Sequence, residues 1–120
     1  MSSSDSHLNL CSELVSVLYE DRSRQTRQTV GNLEEISSGS AVLCLEESVQ
    51  RGRAISFHVK NHDLYGVVDS CVADPQLGYF VTVSLDKSSR WSEKWFTPEH
   101  LLSLWKTAEA DERKLRGDAA

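Results

Sequence analysis

The stretch that decides the fold is Ile55-Ser56-Phe57-His58-Val59-Lys60, in which apolar and polar residues alternate without a break. Successive side chains of a β-strand point to opposite faces. Ile55, Phe57 and Val59 therefore share one face, and the polar residues share the other. The alternation predicts a strand with one buried face and one face in water.

Five further strands are predicted around this one, because β-branched and aromatic runs alternate with polar turns. Three of them precede it in the chain: 13–19, a strand that ends at Ile36, and 41–45. Two follow it: 64–72 and 79–85. Two of the turns are Asn61-His62-Asp63 and a Pro/Gly segment over 74–78. Six short strands favour a closed or nearly closed antiparallel barrel, since closure removes unpaired edges.

The two ends of the chain are predicted to differ from the barrel. Residues 1–10 are polar and serine-rich, so we expect a flexible tail there. Thr97 and Pro98 have the composition of a helix start, and the apolar residues that follow have helical spacing. They are Leu101, Leu104, Trp105 and Ala108. We therefore predict one domain over 11–117, with a C-terminal helix, 98–116, that covers the barrel.

Composition and charge limit the classes of partner. The chain has 120 residues and a formal net charge of -5, which argues against a nucleic-acid polymer or an anionic membrane surface as partner. Cys11, Cys44 and Cys71 are too far apart for a disulfide framework or a paired zinc motif, so we expect reduced, buried thiols. No apolar run is long enough to insert into a membrane, and residues 1–10 lack the features of a signal peptide. The expected compartment is the cytoplasm.

The sequence contains no recognisable catalytic motif. It lacks a Gly-x-Ser-x-Gly elbow, a cysteine and histidine pair placed by a known motif, and a glycine-rich phosphate loop, so we expect neither enzyme activity nor a cofactor. His58 and His62 are four residues apart, but no third metal ligand is apparent, and we expect both to be exposed. Trp91 and Trp95 are expected to fill the core where the helix docks; the alternative is a stacking surface for a base.

Two stretches resemble the PilZ domain family over about residues 12–105. They are Glu34-Glu35-Ile36-Ser37-Ser38-Gly39-Ser40-Ala41-Val42-Leu43 and Arg51-Gly52-Arg53-Ala54-Ile55-Ser56-Phe57. The resemblance implies a six-stranded antiparallel barrel, usually with a C-terminal helix, from a family best known as bacterial receptors for cyclic di-GMP. In that family an Arg-x-x-x-Arg stretch and an Asp/Asn-x-Ser-x-x-Gly turn bind the nucleotide.

Carried over to this chain, the family's turn falls on Glu35, Ser37 and Ser40, of which Ser37 alone matches the motif. Residues 1–12 contain no arginine, so the candidate arginines are Arg22, Arg24 and Arg27, which the strand pattern puts on the first hairpin, away from that turn. Guanidinium groups suit the ligand because they pair with phosphate and with guanine edges. These six residues form the candidate ligand site.

Two functions follow from these observations. The first is a PilZ-like regulatory adaptor in bacterial cyclic di-GMP-related signalling, with an impaired nucleotide site and a protein partner. The second is a genuine cyclic di-GMP receptor that uses the hairpin arginines of the same or a neighbouring subunit. An adaptor should expose an apolar patch, whereas a receptor needs a positive concavity beside Ser37.

Overall fold

Six long strands form in the predicted order, and the computed structural model describes residues 9–103. The strands are β1 Asn9–Glu20, β2 Thr26–Ile36, β3 Ser40–Leu45, β4 Ala54–Val59, β5 His62–Asp74 and β6 Gly78–Leu85. A short 3-10 helix, Lys87–Ser89, and a two-residue strand, β7 Leu102–Ser103, follow. The mostly β class and the six-stranded antiparallel barrel are therefore confirmed.

β1 closes the barrel because it pairs on both of its edges. The strand order is β2-β3-β6-β5-β4-β1, and β1 also pairs with β2. Val17 lies opposite Thr29 of β2 and opposite Phe57 of β4. Asn9 and Leu10, at the other end of the same strand, pair with β7.

The inward side chains of all six strands form one core. Val17, Leu33, Leu64 and Val81 have no exposed surface, and Phe57 is 1% exposed. Each such side chain contributes roughly 1.5–3 kcal/mol through removal of apolar surface from water. The alternation of β4 therefore places its apolar face inside, as predicted, while His58 stays exposed.

A two-residue turn fixes the register of β4 and β5. Val59 pairs with His62, and the residues between them, Lys60 and Asn61, both have positive φ, at 50° and 64°. That geometry matches the twist of a tight hairpin, and asparagine tolerates it well. The turn therefore comes earlier than Asn61-His62-Asp63, and His62 and Asp63 already belong to β5.

The barrel has two different ends. At the first, which we call the open end, the link 46–53 crosses from β3 to β4, and its Val49 is 4% exposed. At the second, the closed end, the segment 86–103 lies across the barrel. There the Trp91 backbone N–H donates to the carbonyl of Ser38 (3.1 Å), and Trp91 Nε1 donates to the carbonyl of Phe96 (3.0 Å).

At both ends of the described range, 9–103, the observed secondary structure differs from the prediction. Residues 98–103 form a turn and β7 rather than the start of a helix, and His100 has a φ of 56°, which a right-handed helix does not accept. The remainder of the predicted helix, 104–116, lies outside the described residues. The predicted tail, 1–10, is also too long, because Asn9 and Leu10 are part of β1.

Trp91 and Trp95 differ in burial. Trp91 is 5% exposed and belongs to the core, as expected, whereas Trp95 keeps 37% of its surface exposed. Trp95 packs with its ring 5.1 Å from those of His62 and Phe96, in edge-on contacts. Trp95 is thus at the rim of the closed end and not inside it.

Candidate functional site

The six candidate ligand residues lie at opposite ends of the barrel. Ten residues of extended chain separate Arg27 from Ser37, which corresponds to about 30 Å. The open end carries Arg22, Arg24 and Arg27. The closed end carries Glu35, Ser37 and Ser40. The structure therefore puts the arginines on the first hairpin, away from the turn, as the sequence indicates.

The Ser37 turn uses its polar groups internally. The Ser37 backbone N–H donates to the Ser40 carbonyl (2.9 Å), and the two serine hydroxyls lie 2.9 Å apart. Gly39 contributes its carbonyl to the backbone N–H of Leu85 (2.9 Å). Ser37 is 7% exposed. The turn thus anchors the closed end, while Glu35 is half-buried beside a β-bulge in β2.

Asp21 organises the arginine hairpin. Its Oδ1 accepts hydrogen bonds from the backbone N–H groups of Ser23 (2.8 Å) and Gln25 (3.0 Å), and its Oδ2 accepts one from Arg27 Nε (2.9 Å). The Arg27 guanidinium, followed by these backbone donors, lowers the pKa of the Asp21 carboxyl. Asp21 therefore neutralises Arg27 and holds the turn in which Arg22 and Arg24 project.

A cleft of about 820 Å³ opens at this end between the β1–β2 and β5–β6 hairpins, beside the link 46–53. We call it the open-end cleft. Tyr19, 6% exposed, donates its hydroxyl hydrogen to Glu47 Oε2 (2.6 Å) and so ties the link to β1. This hydrogen bond, with burial second, raises the pKa of Tyr19 to about 12. The phenol thus remains a neutral donor.

The charges of the open-end cleft are of both signs. Arg27 is paired with Asp21, and just outside the lining Arg53 Nη1 lies 3.3 Å from Glu20 Oε1. Within residues 9–103, Arg22 and Arg51 line the cleft without an ion-pair partner. Glu47 and Asp69 also line the cleft without an ion-pair partner in the described residues, so the cleft offers a ligand both unneutralised guanidinium groups and unneutralised carboxylates.

One wall of the open-end cleft is an unpaired strand edge. β5 has 13 residues and β4 has 6, so β4 pairs only as far as Val67, opposite Ala54. Backbone hydrogen bonds from Gly52 and Arg53 extend the pairing to Val68. Among the described residues, those at 69–74 pair with β6 alone. We call this stretch the free edge of β5.

A second surface lies on the outside of the barrel. Leu14, Leu18 and Val30 are 75%, 42% and 62% exposed, and Val30 lies opposite Ser16, between the two leucines. Their side chains point outward because β1 and β2 bury the residues between them.

The apolar surface continues across β4 onto β5. Leu18 pairs with Ser56 and Ser56 with Tyr65, which is 52% exposed; Val67, two residues further, is 42% exposed. The small side chains of β4 leave a groove of about 340 Å³ between Leu18 and Tyr65. We call Leu14, Leu18, Val30, Tyr65 and Val67 the outer apolar patch.

The sequence interpretation missed this patch and the free edge. A signal for the patch was present, because the run Leu14-Val15-Ser16-Val17-Leu18 is apolar on both faces of a strand. No such local signal marks the free edge, since it depends on where β4 begins.

No group of three His, Cys, Asp or Glu side chains in residues 9–103 is placed to hold a metal ion. His58 instead contacts Asp63 (2.8 Å), and His62 stacks on Phe96 with ring centroids 4.9 Å apart. No helix in the same range has the length and apolar character needed to cross a membrane.

The chain matches no protein-family model, no curated protein and no solved structure. The class that the structure itself defines is a six-stranded antiparallel β-barrel with one closed and one open end.

Proposed function

We propose that this protein is a non-catalytic regulatory domain that acts as an adaptor through protein contacts. The observation that carries this proposal is the outer apolar patch. The pathway, cyclic di-GMP-related signalling in bacteria, is proposed on the PilZ resemblance alone, with which the six-stranded barrel is consistent.

The patch has the character of an interaction surface. Scattered exposed apolar residues are normal in proteins, but contiguous ones mark contact sites. Leu14, Leu18 and Val30 form one cluster, and Tyr65 lines the far side of the groove, with exposed Val67 two residues further along β5. Aromatic side chains such as tyrosine are enriched among the residues that dominate binding energy.

The charges around the groove indicate the chemistry of the partner. Two carboxylates and no basic side chain line the groove between Leu18 and Tyr65: Asp86 has no ion-pair partner in the described residues, whereas Glu20 is paired with Arg53. An arginine of a partner would place its aliphatic part along Leu18 and its guanidinium near Asp86 and the Tyr65 ring. The proposed partner is therefore an apolar protein segment that carries an arginine.

The alternative, a cyclic di-GMP receptor, has less support. A receptor of the family's kind brings its arginines to the ligand turn, whereas one chain keeps the arginine hairpin about 30 Å from Ser37. That separation favours the adaptor.

Site-specific photocrosslinking in the native cell tests the adaptor. A benzophenone amino acid replaces Leu14, with the same replacement at Leu102 as the control, since Leu102 is 48% exposed but lies on β7 at the closed end, away from the groove and the open-end cleft. We expect a discrete crosslinked product from position 14 that disappears on Val30→Ser. Equal products from both positions, or no product from position 14, would contradict the proposal.

Calorimetric titration with cyclic di-GMP tests the alternative. We expect no heat of binding for the native chain at millimolar nucleotide. Saturable binding that is lost when Arg22, Arg24 and Arg27 are changed to alanine would replace the adaptor with the receptor.

A further inference from the structure

We propose that the open-end cleft binds an extended peptide segment of a partner protein, which adds as a strand to the free edge of β5. This goes beyond the adaptor function and does not rest on it, because the outer apolar patch lies on a different face of the barrel.

Backbone hydrogen bonding is the first reason. A strand edge without a partner presents a row of N–H and C=O groups that pair readily with another extended chain. Residues 69–74 present such a row toward the cleft, while Val72 and Ala73 are exposed. β2 also lacks a partner on its β3 side over 26–30, but of these residues only Arg27 lines the cleft.

The vacant position has the right location for one strand. β4 begins at Ala54, opposite Val67, and the chain before it leaves the barrel wall to cross the open end. A strand beside 69–74 would therefore continue the line of β4, between β5 and the turn that carries Arg22. On this edge of β5, β4 already occupies the neighbouring strand position as far as Val67.

Side-chain size along the free edge allows a peptide to approach. Cys71 and Ala73 line the cleft and are small, whereas Val72 between them points outward and is 61% exposed. Side chains of an added strand alternate in the same way. The open-end cleft that would hold the peptide has a volume of about 820 Å³, and the peptide side chains that face outward meet Val72.

The charges of the cleft select the residues that face it. Arg22 and Arg51 are the guanidinium groups in the cleft lining without an ion-pair partner in the described chain. Guanidinium groups bind carboxylates through paired hydrogen bonds. Asp69 on the free edge and Glu47 also line the cleft, so the acidic residues of the peptide must lie beside Arg22 and Arg51 and away from these carboxylates. The geometry thus favours a peptide in which acidic residues that pair with the two arginines alternate with β-branched apolar ones.

Fluorescence anisotropy with a labelled peptide tests the proposal. The probe is Thr-Val-Glu-Val-Glu-Val-Thr, titrated with the full chain, and we expect saturable binding that weakens at least tenfold on the double change Arg22→Ala and Arg51→Ala. A peptide with glutamine in place of glutamate should lose a similar factor. Leu14→Ser is the matched control and should leave the affinity unchanged, which separates this site from the outer apolar patch.

Two N-methylated peptides test strand addition itself. One carries N-methyl groups on the three valines and the other on the two glutamates, so that each loses the donors of one edge. Strand addition predicts that one of them binds at least tenfold more weakly than the other, because only one edge faces β5. We also expect slower amide hydrogen exchange at 69–74 when the unmodified peptide is bound.

The proposal is overturned by any of three results. These are the absence of saturable binding at millimolar peptide, equal affinity of the two N-methylated peptides, and retention of full affinity by the arginine variant. Both arginines are exposed, so we expect the variant to keep its fold, and circular dichroism checks this.

Discussion

Replacement of Trp91 by phenylalanine should destabilise the barrel strongly, because Trp91 holds the closed end through its indole. In the native chain Trp91 Nε1 donates a hydrogen bond to the Phe96 carbonyl (3.0 Å). The change removes this donor and leaves the carbonyl without its hydrogen bond. A buried acceptor left unpaired costs about 1–3 kcal/mol. Loss of two buried ring carbons adds about 0.8 kcal/mol each. The expected decrease in the free energy of unfolding is therefore about 3 kcal/mol, a large part of the roughly 5–15 kcal/mol of a typical domain.

The matched control is Trp95→Phe. Trp95 keeps 37% of its surface exposed, so the same chemical change should cost less than about 1 kcal/mol. Urea unfolding followed by far-ultraviolet circular dichroism measures both values, and Trp91→Phe should also lower Tm by about 10 °C. Equal destabilisation by the two changes would refute the assignment of Trp91 as the anchor of the closed end.

Three further predictions concern a close approach, a thiol and a turn. Gly66→Ala should lower the free energy of unfolding in urea by about 1–3 kcal/mol, since a Cβ there would lie 2.3 Å from the Ser84 carbonyl oxygen. Gly39→Ala is the control and should be neutral, because a Cβ at Gly39 meets no atom within 4 Å. Burial raises the pKa of the Cys11 thiol from 9.0 to about 12. The folded chain therefore holds this proton more tightly than the unfolded chain, and stability present below pH 9 should fall toward pH 12. The raised pKa of Tyr19 acts in the same direction, so Cys11→Ala should reduce the slope by about 1.4 kcal/mol per pH unit, and not abolish it, in unfolding measured with reductant. Asp21→Ala should lower the protection factors of the β1–β2 turn amides, which compare the observed exchange rate with the intrinsic rate at the same pH. Acid should lower them in the native chain as well, since the lowered pKa of Asp21 means that its bonds persist until the carboxyl is protonated; unchanged protection would show that the turn does not depend on Asp21.

The barrel was predictable from local patterns because a strand's alternation records which face is buried. The period of two in β4 gave its inward face, and the other strands were placed with bounds that differ from the structure by a few residues. The predicted strand 64–72, for example, is observed as His62–Asp74. Strand ends depend on pairing partners elsewhere in the chain, and the local sequence does not specify them.

The C-terminal segment shows where local reasoning fails. Leu101 and the apolar residues after it have helical spacing, but Leu102 pairs with Leu10, far away in sequence. The buried Pro98 and the left-handed His100 then direct the backbone away from a helix. Pairing with the first strand outweighs helical spacing over these residues.

The candidate site was predictable only in part. The pattern of strands correctly put the arginines on the first hairpin, but it could not show that Asp21 neutralises Arg27. The open-end cleft arises because β4 is much shorter than β5, and a difference in strand length becomes visible only when the register is known.

The double pairing of β1 has a consequence for the time course of folding during synthesis. Val17 can pair with Thr29 soon after both leave the ribosome, but its partner on the other edge, Phe57, is made 40 residues later. At roughly 5–20 residues per second, the first hairpin waits seconds with one edge open. Contacts so distant in sequence also slow the folding of the complete chain, to the millisecond-to-second range. The nascent hairpin is therefore the stage at which a holding chaperone would benefit this protein most.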